Sequence, residues 1–157
     1  MNVSLLRRRK LASVFDGYRR LLVPVVDNAE SEEAVDVAAR LAAEHGSSIT
    51  IVTVVEVPAG LPADAHMRAE EAHAHAVLTR AAAVADRYGV SVALRTVQAR
   101  DAATAIVDEA RARNTELIVI GAERTDRGLG PTVQHILKKA PCRVMIVGSR
   151  TRHRSAA

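Results

Sequence analysis

Residues 121 to 132 read GAERTDRGLGPT, and their types suit one kind of chemistry, the holding of an anion. A phosphate is gripped by backbone N–H groups that converge from a flexible loop and from the positive end of a helix, and glycine permits the close approach. Gly121 and Gly130 bracket the loop, Thr132 adds a hydroxyl at the start of a helix-like pattern, and Arg124 and Arg127 supply guanidinium forks able to grip two oxygens at once. Glu123 and Asp126 stand beside those arginines, so the alternative is a plain connecting turn whose charges pair among themselves. A second candidate loop is VVDNAES (25–31), which puts Val25 and Asp27 just after Pro24. Asp27 either turns toward a ligand or serves as an Asx-turn or helix N-cap residue.

Other chemistries find less to work with. His66, Glu70 and His73 recur at helical spacing, but zinc takes three or four ligands fixed by a second layer of contacts, and a solvated polar face accounts for the same pattern. His135 reads as a surface or dimer-edge residue. Cys142 follows Pro141 where an apolar strand begins; a small buried residue suits that position, with modest thiol reactivity near a helix end as the alternative. No serine sits in a nucleophile-elbow setting and no carboxylate pair is set up by spacing, so enzymatic activity is not expected.

The elements that must position these loops follow from periodicity. LLVPVV (21–26), ITIVTVVEV (49–57), LIVIG (117–121) and VMIVG (144–148) are short apolar runs of the kind found in strands buried on both faces, and VSVALRTV (90–97) is a weaker, alternating version. Residues 30–45 form a helix with Ala34, Val37, Ala38, Leu41 and Ala42 on one face and Gly46 as its stop. An alanine-rich helix runs from about Ala65 to Tyr88 and ends at Gly89. Asp101 caps a helix through about Arg113 with Ala105, Ile106 and Ala110 inward, and Thr132 to Lys139 gives a short last helix before Pro141. Strands alternating with helices imply an α/β fold, an open five-stranded parallel sheet with helices on both faces. Such sheets bind ligands beyond the carboxyl ends of their strands, where the strand order reverses. The segment VPAGLPADAH (57–66) is the one candidate for a lid or variable insert.

The chain has 157 residues, 48% of them apolar, enough for one domain with a real core. One Phe, two Tyr and no Trp leave Val, Ile, Leu and Ala to build it. No apolar run approaches the roughly 20 residues of a membrane span, and the basic start is followed by no apolar leader, so a cytoplasmic protein without a membrane span is expected. The net charge of +4 is uneven. Arg7, Arg8, Arg9, Lys10, Arg19 and Arg20 face Asp16 alone, and Arg150, Arg152 and Arg154 are unopposed, so the middle of the chain is mildly acidic. The expected organisation is a basic N-terminal extension (1–19), a folded domain (20–148) and a basic disordered tail (149–157). Without aromatic residues to stack on bases, the tails point to no specific nucleic acid.

Taken in order, LLVPVVDN, VVEV, ELIVIGA and above all GPTVQHILKKAPCRVMIVG resemble the universal stress protein (UspA-like) domain, over about residues 20 to 148. The resemblance implies a sheet in the order 3-2-1-4-5, as in adenine nucleotide alpha hydrolase-like folds, a homodimer through the last strand (143–148), and in one branch of the family ATP held by the loop after the fourth strand. That branch has a Gly, a second Gly three positions on, and after nine more residues a Gly followed by Ser or Thr. Here Gly121 matches the first position, Arg124 stands in place of the second glycine, Gly130 arrives four residues early, and Pro131 precedes Thr132. The branch also places an Asp two positions after the strand proline, whereas here Asp27 comes third. The shortened loop and PVVDN resemble the UspA-like domains at the tails of some amino-acid permeases and cation antiporters, which implies a separate regulatory protein or transporter as partner. Two readings follow. One is a dimeric stress-response module that acts through protein partners without a nucleotide. The other is a binder of ATP, AMP or cyclic AMP that uses Val25, Asp27, Gly121, Arg124, Arg127, Gly130 and Thr132.

Overall fold

The computed structural model describes residues 18–123 and 125–148; most of the basic extension, the basic tail and Arg124 lie outside them. In chain order the elements are β1 (Arg20–Pro24), α1 (Ala29–His45), β2 (Ser48–Glu56), α2 (Arg68–Asp86), β3 (Val92–Ala99), α3 (Ala102–Ala112), β4 (Leu117–Ala122), α4 (Pro131–Lys139) and β5 (Arg143–Gly148). The strands form one parallel sheet in the order β3-β2-β1-β4-β5, the order that the sequence resemblance implies. Among the described residues no helix is long and apolar enough to cross a membrane.

Each central strand sends alternate residues to opposite faces, and each face has its own core. Leu21, Val23, Ile49, Ile51, Leu117 and Val119 meet α1 and α2. Leu22, Val52, Ile118 and Ile120 meet α3 and α4. The buried face of α1 is Ala34, Val35, Ala38, Ala39 and Ala42, so it is turned by about one residue from the expected one, and Val37 and Leu41 are only half-buried. Small side chains let α1 lie close to the sheet, and the single larger residue in that row, Val35, is fully buried.

The helix ends follow the sequence signals closely. Gly46 takes a left-handed conformation (φ 68°) and donates to the Ala42 carbonyl at 2.8 Å, and Asp101 accepts from the Thr104 N–H at 2.8 Å. Several boundaries move, among them those of α2, which runs from Arg68 to Asp86 and is shorter than expected at both ends. β3 starts at Val92, after the left-handed Gly89 (φ 66°), and runs to Ala99 because it pairs with β2 along its whole length. Tyr18 and Arg19, expected in the extension, are docked: Ser48 N–H donates to the Arg19 carbonyl at 2.8 Å, and Arg143 donates to the Tyr18 hydroxyl at 2.7 Å.

The segment ahead of α2 is tied down. Gln98 donates to the carbonyls of Ala63 (3.2 Å) and Ala65 (2.7 Å), and Arg100 donates to those of Pro58 and Leu61. It is a strap fastened to the end of β3.

The exposed edge strand β3 is braced by charge. Glu109 on α3 accepts from Arg95 at 3.2 Å and from Arg113 at 2.9 Å. Burial pushes its carboxyl up, but the hydrogen bonds from Arg113 and Arg95 outweigh it and hold the group below the ordinary glutamate value. A depressed folded-state pKa stabilises above the unfolded pKa and is lost as pH falls through the folded one. We therefore expect Glu109→Gln to be less stable than the parent at neutral pH by chemical denaturation, with the difference shrinking below about pH 4. A difference that stayed constant down to acid would mean that the arginines do not act through the carboxylate.

A candidate nucleotide cleft at the strand-order reversal

The reversal falls between β1 and β4. Their paired register covers only Leu21 with Leu117 and Leu22 with Ile118, whereas β2 and β3 pair over eight positions. Beyond Leu22 the two carboxyl ends are free to part, and a cleft of about 480 Å³ opens there. Its walls are largely apolar: Pro24, Val25, Val52, Val54, Ile106, Ile120 and Val133. Ser31, Glu56, Gly121 and Thr132 supply its polar and backbone surface. A mostly apolar pocket with a few convergent polar groups is the usual form of a small-molecule site.

The rim of this cleft is shaped by helix starts. Asn28 caps α1, its Oδ1 accepting from the Ser31 N–H at 2.8 Å, while Ser31 Oγ accepts from the Val26 N–H at 2.9 Å. The cap therefore belongs to Asn28 and not to Asp27. Asp101 caps α3, and Glu56 Oε1 accepts a further N–H of that helix, from Ala102, at 3.0 Å. The start of α4 is different: its N-cap is Gly130, which offers no side-chain acceptor, Pro131 sits in the first turn, and no acidic residue is there. The N–H groups of Thr132 and Val133 precede the first intrahelical bond, which runs from Gln134 to Gly130 at 3.1 Å. Of the three helix starts around the cleft, only this one leaves its positive end open to an anion.

The candidate residues divide among three places. Val25, Gly121 and Thr132 line the cleft. Gly121 also joins Arg127 and Gly130 around a concavity of about 470 Å³ under the loop. Asp27 lines neither, because the additional residue Val26 carries it to the α2 side of the sheet, where it pairs with Arg80 and lies 3.6 Å from His73. Arg124 falls outside the described residues.

The loop itself closes into a turn. Gly128, at φ 85°, donates to the Thr125 carbonyl at 2.9 Å, and the Thr125 hydroxyl donates back to the Gly128 carbonyl at 2.9 Å. The Gly128 N–H is thus already used within the loop.

Gly121 has a packing role that its place in a glycine motif did not announce. A Cβ there would lie 2.1 Å from the Glu30 carbonyl oxygen and 2.8 Å from the Ser31 nitrogen, so the first turn of α1 rests on the bare backbone of β4.

Sequence reasoning passed over Glu56, Ser31 and Ala102. The spacing of Asn28 and Ser31, a cap residue followed three positions on by a side chain able to hydrogen-bond back, was the available signal for Ser31. The histidine series also changes, since α2 begins at Arg68 and leaves His66 ahead of the helix; no group of potential metal ligands gathers among the described residues. Cys142 is half-buried beside the α3 and α4 core, and burial pushes its thiol above the ordinary value against the opposing backbone hydrogen bond from Ile118. That disfavours the reactive thiolate.

A family model described as the universal stress protein family matches residues 17–148. A universal stress protein of Synechocystis sp. is 31% identical over 141 residues, covering 83% of this chain and 85% of that protein. Among solved structures, a member of the family from Burkholderia pseudomallei is similar at 27% identity and a TM-score of 0.68, covering 84% of this chain and 97% of that one. The universal stress protein of Archaeoglobus fulgidus in complex with dAMP has a TM-score of 0.69 at 19% identity, covering 83% and 98% of the two chains, a likeness of fold.

Gly121→Ala should lower the unfolding free energy by about 3 kcal/mol, since an overpacked site of this kind strains backbone on both sides. Urea denaturation checks it, and an unchanged midpoint would show that α1 shifts freely on β4.

Proposed function

Because the chain belongs to the universal stress protein family, we propose that it binds an adenine nucleotide with a short phosphate chain in the cleft between β1 and β4. The observation that carries this reading is the pairing of an apolar slot with the uncapped start of α4. Pro24, Val54 and Ile120 suit the faces of a flat base, and the outer carboxylate oxygen of Glu56 suits hydroxyl or amino donors of the nucleoside. The phosphate then lies toward the N–H groups of Thr132 and Val133, within reach of the concavity that Arg127, Gly121 and Gly130 line. The loop is short, lacks a second glycine, and spends the Gly128 N–H on its own turn, so donors for a triphosphate are few. That supports AMP-like ligands over ATP. The dAMP complex of the Archaeoglobus fulgidus relative agrees with this class. Asp27, paired with Arg80 on the α2 side of the sheet, has no part in this arrangement.

The module's output is then a protein contact, with a regulatory or transporter protein as partner, in the cytoplasm, and with no chemical step on the ligand. A homodimer through β5 has its own support. Val144, Met145, Ile146 and Val147 remain half-exposed on a strand with one free edge, and a bare apolar edge invites pairing.

Calorimetric titration with adenosine, AMP and ATP tests the ligand, together with mass spectrometry of small molecules released on denaturing the freshly purified protein. AMP should bind, ATP no more tightly, and Arg127→Ala should weaken AMP about tenfold while leaving adenosine unchanged. No heat from any of the three at millimolar concentration would overturn the reading. For the dimer, light scattering should give twice the chain mass for the parent and a monomer for Met145→Lys; a parent that is monomeric at micromolar concentration would refute it.

A further inference from the structure

A second cleft, of about 430 Å³, lies on the opposite face of the sheet, between the carboxyl end of β2 and the first turns of α2. Its floor and walls are Val26, Val55, Ala74 and Val77, and it meets the first cleft along Val26, Val54 and Glu56. Three observations there have no structural explanation.

The first is Thr53, 6% exposed in the floor. Its hydroxyl has no hydrogen-bond partner among the described residues. Nor is it sealed, since no fully buried side-chain polar atom among them lacks a partner, so the oxygen opens on the cleft. An unpartnered polar group this deep costs stability unless something bonds to it. The second is Val26, a large apolar residue left 60% exposed on the ridge between the two clefts. The third is charge. Asp27 is answered by Arg80, but Glu56 and Glu70, which line the same cleft, have no cationic partner among the described residues.

Taken together, the geometry points to a binding site for a small organic amine. Its ammonium group pairs with Glu70 and Glu56, its short apolar body covers Val26 and lies against Val55, Ala74 and Val77, and a polar atom reaches Thr53. Anionic ligands are disfavoured by Glu70 and by the Glu56 oxygen that the Ala102 N–H leaves unused, so this site favours a cation on the α2 face of the strand end.

The test uses the nucleotide-free full chain, so it stands whether or not AMP binds the first cleft. Phenethylamine and its neutral counterpart phenethyl alcohol are titrated while amide shifts are followed by NMR. The amine should give saturable shifts at Thr53, Val55, Ala74 and Val77. Glu70→Gln, on the exposed face of α2, should weaken it about fivefold, as for one partly screened ion pair, and Thr53→Val should weaken it with the fold intact. Equal binding of amine and alcohol, amine shifts unaltered by Glu70→Gln, or no saturable shift at millimolar amine would each overturn the proposal.

Discussion

The arrangement depends on one close approach, that of the first turn of α1 to the backbone of β4 at Gly121. With 2.1 Å between a would-be Cβ and the Glu30 carbonyl oxygen, the separation of helix and strand is set by the absence of a side chain. That contact fixes where α1 begins. Its beginning fixes the Asn28 cap, the Ser31 hydroxyl and, through the Val26 N–H, the course of the chain leaving β1. The row of alanines at Ala34, Ala38, Ala39 and Ala42 continues the same close contact along α1. The glycine that a phosphate motif would claim is therefore also a keystone of the packing, and either role alone would require it.

Electrostatics then divides the carboxyl end of the sheet. Carboxylates or amides answer the helix starts of α1 and α3, and the Glu56 carboxylate serves both the α3 start and the partition between two clefts. The start of α4 is left open. The result is a surface with one open helix start and, on the α2 side of β2, two carboxylates without a cationic partner among the described residues. Strand β2 makes this possible because successive residues face opposite ways: Thr53 and Val55 toward α2, Val52 toward α3.

Most of the fold was legible in the sequence because its signals are local and redundant. Continuous apolar runs, a helix stop at Gly46 and a cap at Asp101 each rest on chemistry within a few residues, and the structure keeps all of them. What was misplaced depends on contacts distant in sequence. The rotation of the α1 face follows from what the sheet presents to it. The docking of Tyr18 and Arg19 depends on residues as far away as Arg143, and the true length of β3 depends on its pairing with β2. Of the residues that motif reading named, Val25, Gly121 and Thr132 line the cleft between β1 and β4. Asp27 shows the limit of that method: one additional residue after Pro24 carried a carboxylate to the other face of the sheet, where only the partners on α2 reveal its role. Glu56 and Thr53 look like ordinary strand residues in the sequence, and only the spaces beside them mark them out.

The strand order has a consequence for how the chain is made. β1 emerges from the ribosome first and pairs with β2 soon after, yet its other neighbour, β4, begins at Leu117, nearly a hundred residues later. At ordinary elongation rates that delay is roughly five to twenty seconds. By its end the three-stranded half-sheet of β1, β2 and β3 presents the open edge of β1, with Leu21, Leu22 and Val23, as an unpaired apolar ribbon. The half-sheet is therefore most prone to wrong pairing just before β4 arrives, and for the nascent chain the timing of synthesis matters as much as the final packing.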